Sequence, residues 1–118
     1  MDLKISDMIQ MQRELFKLHQ QEWPALEPEY GKNMILYMVE EIGEVISIVK
    51  KKGDRAITDD TLIRNAFLEE MADVMMYYMD ILLRYHVTAE EISNAFARKH
   101  AVNMGRNYTL EYKEKYHG

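Results

Sequence analysis

MILYMVEEIGEVISIV, residues 34–49, is the stretch whose reading decides the fold. Its apolar residues recur at three- and four-residue steps, the period of a helix with one face turned to a core. Met34, Ile35, Met38, Val39, Ile42, Val45, Ile46, Ile48 and Val49 make one broad arc on the wheel. Glu41 falls inside the edge of that arc, between Met34 and Ile48. Glu44 lies next to it beside Tyr37, and Glu40 points further toward the polar side. Two carboxylates three residues apart therefore stand at the rim of a face meant for burial. Gly43 between them costs helix stability and leaves room for another group to come close.

A second helical stretch, TLIRNAFLEEMADVMMYYMDILLRY, covers residues 61–85. Apolar side chains surround it on nearly every side, which predicts packing against several neighbours. One narrow polar stripe interrupts them: Glu70, Asp73, Tyr77 and Asp80. Glu70 and Asp73 again sit three residues apart.

Outward from these two, a first helix is predicted from Ser6 to about Glu22, with Ser6 or Asp7 as its cap. Trp23-Pro24 and Pro28 break the period, so Trp23 to Gly31 reads as a loop. The helix carrying the first acids runs from about Asn33 to Lys52 and stops before Gly53. Gly53 to Asp60 is polar and reads as another loop. Thr88 and Glu91 form a capping box for a last helix ending near Met104, with Gly105 as the stop. Arg106 to Gly118, rich in tyrosine and charge, has no assigned structure; from about residue 107 it is taken as a flexible tail. No strand-like alternation occurs. The expectation is one all-α domain over residues 1–118, resembling a four-helix bundle.

Composition narrows the function. Twenty acidic against 15 basic residues give a formal net charge of −5, which disfavours binding to a nucleic-acid backbone. A small phosphate ligand stays compatible, because a metal ion can supply positive charge. There is no cysteine, so disulfides, thiolate metal sites and cysteine nucleophiles are excluded. No segment approaches the roughly 20 apolar residues of a membrane span, and residues 1–12 do not read as a signal peptide. The expectation is a cytoplasmic protein that engages neither membrane nor nucleic acid.

Four carboxylates facing one another in a partly buried space repel one another and lose hydration. A divalent cation relieves both costs, and hard Mg²⁺ takes oxygen ligands, with Mn²⁺ as a substitute. Glu41, Glu44, Glu70 and Asp73 are the candidate ligands. The plainer reading neutralises these acids with Lys or Arg across helices, and Arg84 is placed to serve. A ferritin-like di-iron site wants Glu-x-x-His, which the chain lacks. Lys50-Lys51-Lys52 reads as a favourable cationic helix end more readily than as a steering patch for triphosphates. The four histidines show no ligand spacing. Trp23 either stacks on a base or anchors the first loop. Ten methionines and a helix apolar all round point to packing beyond one protomer, in a homodimer or homotetramer.

Glu40-Glu41-x-x-Glu44 followed by Glu70-x-x-Asp73 resembles the signature of MazG-like nucleotide pyrophosphohydrolases, in the all-α NTP pyrophosphatase superfamily. Asn33, eight residues before Glu41, and Tyr77, four after Asp73, are similar to positions in dCTP-pyrophosphatase-like members. Lys99, Asn103 and Arg106 resemble the Lys-x-x-x-Asn-x-x-Arg pattern of the family's last helix. The likeness runs from about His19 to Arg106. It implies Mg²⁺-dependent cleavage between the α and β phosphates of an NTP or dNTP, giving a monophosphate and pyrophosphate. It further implies Glu41, Glu44, Glu70 and Asp73 as metal ligands, Lys99 and Arg106 at phosphate, and Asn103 at phosphate or sugar. Asn33 and Tyr77 would line the nucleoside pocket. Glu40 or Glu41 would activate water. The chain departs from the pattern at Lys51, where some relatives carry an aromatic residue, and at Met104-Gly105-Arg106, where their helix end is richer in arginine. Phosphoribosyl-ATP and dUTP hydrolysis are the nearest competing reactions. A non-catalytic helical interaction or regulatory domain is the reading from another class.

Overall fold

A computed structural model describes residues 1–116. Their regular structure is all helical, with no strand among them: α1 (Ile5–His19), α2 (Gly31–Lys52), α3 (Asp54–Asp59), α4 (Thr61–Arg84), α5 (Ala89–Gly105) and α6 (Tyr108–Tyr116). A 3-10 turn, Pro28–Tyr30, leads into α2. The chain divides into two compact units, Met1–Thr88 and a second beginning at Ala89.

Several boundaries differ from the sequence reading. α1 ends three residues early, because Glu22 and Trp23 turn their N–H groups back onto the His19 carbonyl at 2.9 and 3.1 Å. Pro24 follows, and a proline disfavours the helical region for the residue before it. The cap is Lys4 rather than Ser6 or Asp7; Asp7 acts from the first turn, accepting a 3.0 Å bond from the Lys4 N–H. The expected loop after Gly53 contains α3. Gly53, at φ 87°, turns the chain sharply, and Thr58 Oγ1 then donates to the Arg55 carbonyl at 3.0 Å within the new turn. The expected flexible tail includes α6, which Asn107 starts by accepting from the Leu110 N–H at 2.9 Å. His117 and Gly118, part of the same tail, lie outside the described residues.

Asp60 is the cap of α4: one carboxylate oxygen accepts from Leu62 N–H at 3.0 Å and Ile63 N–H at 3.2 Å. Two of the four orphan donors at that helix end are thereby satisfied. Asp60→Ala is expected to lower unfolding free energy by about 1 kcal/mol, measured by urea denaturation, with Asp60→Asn close to wild type.

The core of the first unit joins α1, α2 and α4 through Ile9, Met34, Met79, Leu82 and Leu83. α2 and α4 meet along a long seam. On α2 the buried or half-buried positions include Met34, Met38, Glu41, Val45 and Ile48; on α4 they include Ile63, Phe67, Glu70, Val74, Tyr77 and Ile81. Both sets follow the alternating three- and four-residue steps of coiled-coil packing. α4 is not buried all round as its composition suggested. Leu68, Met71, Met75 and Tyr78 form an exposed stripe, and Ile35, Val39, Ile42 and Ile46 form another on α2.

Candidate metal centre

Glu41 and Glu70 occupy seam positions that a hydrophobic pair would ordinarily fill. α2 and α4 thus bring them together, and Asp73, one turn along α4, joins from the exposed side. One carboxylate oxygen from each of the three lies within 4.8 Å of the others. Glu44 and Glu40 are exposed on α2 and stand outside this triad.

The electrostatics follow from the packing. Partial burial raises the Glu41 pKa above the ordinary carboxylate value; a hydrogen bond with Glu70 and the charges of Asp73, Glu70 and Glu44 push the same way. Among the described residues the ion pairs are Arg84–Asp80, His86–Glu27 and Arg106–Glu111. None neutralises Glu41, Glu44, Glu70 or Asp73. Arg84 is not the counter-charge that the plainer sequence reading offered.

A carboxyl whose folded-state pKa is raised binds its proton more tightly folded than unfolded. Its contribution is therefore favourable at low pH and is lost as pH rises from the unfolded value through the raised one. Glu41→Gln removes that dependence. Without metal, the melting temperature of Glu41→Gln should gain on wild type as pH is raised through the carboxylate range and up to neutrality, measured by differential scanning calorimetry. A constant offset between the two curves would contradict the arrangement.

Beside the triad a cavity of about 390 Å³ is lined by Asp73, Tyr77, Asn33, Trp23, Gln12 and Arg84, among others. Asn33 and Tyr77, expected in a nucleoside pocket, do share one cavity. Tyr77 lies 6.2 Å from Tyr37, ring to ring. Its pKa is raised by burial first and then by the charges of Glu41, Asp73 and Asp80, so its hydroxyl stays a proton donor. Trp23 stacks on His19 at 4.8 Å, which leaves its indole anchored to α1 while it lines the cavity.

In the cavity wall Arg84 is 1% exposed. Its Nε donates to Asp80 at 2.6 Å, and its Nη1 donates to the Pro24 and Ala25 carbonyls at 2.9 and 2.6 Å. The carbonyls follow Trp23 directly, so this clamp fixes the loop that carries the indole. Periodicity alone does not reveal this clamp. The four-residue spacing of Asp80 and Arg84 on a helix was the signal available.

Lys99, Asn103 and Arg106 belong to the second unit. Lys99 and Asn103 are one turn apart on α5, and Arg106 follows its end. Arg106 Nη1 donates to Asn103 Oδ1 at 3.3 Å, and its Nε donates to the Glu111 carboxylate at 2.9 Å. The guanidinium also lies 4.9 Å from the Tyr108 ring. The Glu111 hydrogen bond and charge raise the Arg106 pKa further above its ordinary value. Glu111, a residue the sequence reading passed over, is thus the present partner of the expected phosphate ligand.

No helix among the described residues is long and apolar enough to cross a membrane. No family model, curated protein or solved structure matches this chain.

Proposed function

We propose that the chain is a Mg²⁺-dependent nucleoside triphosphate pyrophosphohydrolase of the MazG-like kind, cleaving between the α and β phosphates. One observation carries the reading: three carboxylates from facing helices converge within 4.8 Å with no cationic side chain to balance them, at the edge of a cavity. The donor set fits a hard divalent ion. It is all oxygen, partly open to solvent, and short of a full coordination shell, which leaves places for water and phosphate. Glu41, Glu70 and Asp73 would hold the ion, with Glu44 nearby on α2. When bound, Mg²⁺ supplies charge stabilisation at the phosphate oxygens.

The remaining tasks belong to the chain's own groups. Phosphoryl transfer asks mainly for positioning and charge. Asn33, Tyr77 and Trp23 offer the nucleoside a half-enclosed pocket. Glu41 is the one of the two expected bases that belongs to the triad and so is placed to orient or deprotonate the attacking water; exposed Glu40 is not in the triad. Glu40→Gln should therefore keep most of the turnover. By the resemblance, Lys99 on α5 and Arg106 just past its end would take phosphate oxygens, and Asn103 phosphate or sugar. Glu111 competes for Arg106, so Glu111→Gln is expected to lower KM.

The working form is assigned as a homodimer or homotetramer. The exposed stripes on α2 and α4, with Val39 56% and Leu68 50% accessible, have the heptad spacing of helix-pairing faces.

The test is product analysis with a panel of canonical and modified NTPs and dNTPs, with and without Mg²⁺. Monophosphate and pyrophosphate should appear only with the metal. Diphosphate and orthophosphate, or no turnover across the panel, would overturn the assignment.

A further inference from the structure

Gln12 on α1 is 8% exposed and lines the cavity that Asp73 and Tyr77 open onto. It makes no hydrogen bond to any described residue, yet no fully covered side-chain nitrogen or oxygen lacks a partner. Its carboxamide therefore reaches cavity space. A second cavity, also touched by Gln12, is otherwise lined by apolar side chains such as Met8, Met11, Met75 and Met79 and offers no polar ligand a second contact. A carboxamide held on a nearly buried side chain, with its donors and acceptor unused by the protein, is available to a ligand that enters beside it.

The cavity's charges define what enters it. Arg84 has its charge paired with Asp80 and also donates to two carbonyls, and Asp73 belongs to the acid triad. No cationic side chain of the lining is left to receive phosphate, so phosphate stays with the ion at the triad and the part of the ligand that enters beyond it is neutral. Tyr77 and Trp23 provide aromatic surface for a planar ring. A carboxamide presents a donor and an acceptor side by side, matching the paired donor and acceptor on a nucleobase edge.

We propose that Gln12 is the specificity-determining residue for the base. It rests on the nucleotide reading above and names the group that reads the heterocycle. Gln12→Met keeps length and volume but removes the hydrogen-bonding edge. Because the glutamine has no protein partner to lose, the melting temperature of Gln12→Met should equal or exceed that of wild type. An amide with a merely structural role would lower it.

The test measures binding of adenosine, guanosine, cytidine, uridine and purine riboside to the full-length chain without metal, by saturation-transfer NMR. Pyrophosphate release from the corresponding triphosphates with Mg²⁺ is followed in parallel. Wild type should favour one base over the others and over purine riboside. Gln12→Met should lose that preference by about tenfold, the effect of one to two net hydrogen bonds, with the change in KM rather than kcat. Preference unchanged in Gln12→Met, or no nucleoside bound by wild type, overturns the assignment. Gln12-dependent discrimination without pyrophosphate release would leave Gln12 as the reader and remove only the hydrolase.

Discussion

Glu41→Gln and Asp73→Asn are each expected to lose more than about 100-fold in Mg²⁺-dependent turnover, since even outer-shell partners of a metal cost roughly 10–100-fold. The fold should survive both. Each substitution keeps the side chain's shape and removes one charge from a set whose members lie within 4.8 Å with no cationic partner. Mutual repulsion falls, so the metal-free variants should melt at or above the wild-type temperature. Loss of activity with retained or increased stability is the signature of acids kept for a ligand. Acids kept for structure would show both falling together. Steady-state kinetics and thermal melts on the same preparations decide between these outcomes.

Arg84→Met is expected to have the largest effect on stability, about 3–5 kcal/mol, the cost of breaking a buried ion pair from one side. Asp80 is 4% exposed and would be left as an uncompensated carboxylate. The Pro24 and Ala25 carbonyls would lose their donor as well. Replacing both partners, as in Asp80→Leu with Arg84→Met, should restore part of the loss, because the isolated charge is gone. Urea unfolding of the two singles and the double measures the coupling. If the single Arg84→Met unfolds like wild type, the clamp does not hold the Trp23 loop.

Much of the helical frame was legible because period and punctuation agreed. Gly53 and Gly105 stand at helix ends as read, and α5 begins directly after Thr88. What escaped was local hydrogen bonding by short polar side chains. Asp60 and Asn107 cap helices, and Thr58 closes a turn within a segment whose polarity reads as loop. Glu41 and Glu70 were identifiable as acids interrupting apolar faces. Glu44 was grouped with them on spacing alone, yet a helix wheel cannot say how far a neighbouring helix reaches, and α4 leaves Glu44 outside the triad. The wheel likewise spread one broad arc across α2, where packing separates a seam facing α4 from a second, exposed stripe. Arg84 with Asp80, Gln12 and Glu111 owe their surroundings to loops and terminal segments whose paths no periodicity encodes.

Direct cation binding by the acid triad is best measured with Mn²⁺ by electron paramagnetic resonance, titrating the full-length chain and a Glu41→Gln/Asp73→Asn double variant. Wild type should remove the signal of free Mn²⁺ and return it when Mg²⁺ is added, while the double variant leaves the signal at its protein-free strength. Equal Mn²⁺ uptake by both proteins would contradict a divalent ion held between α2 and α4.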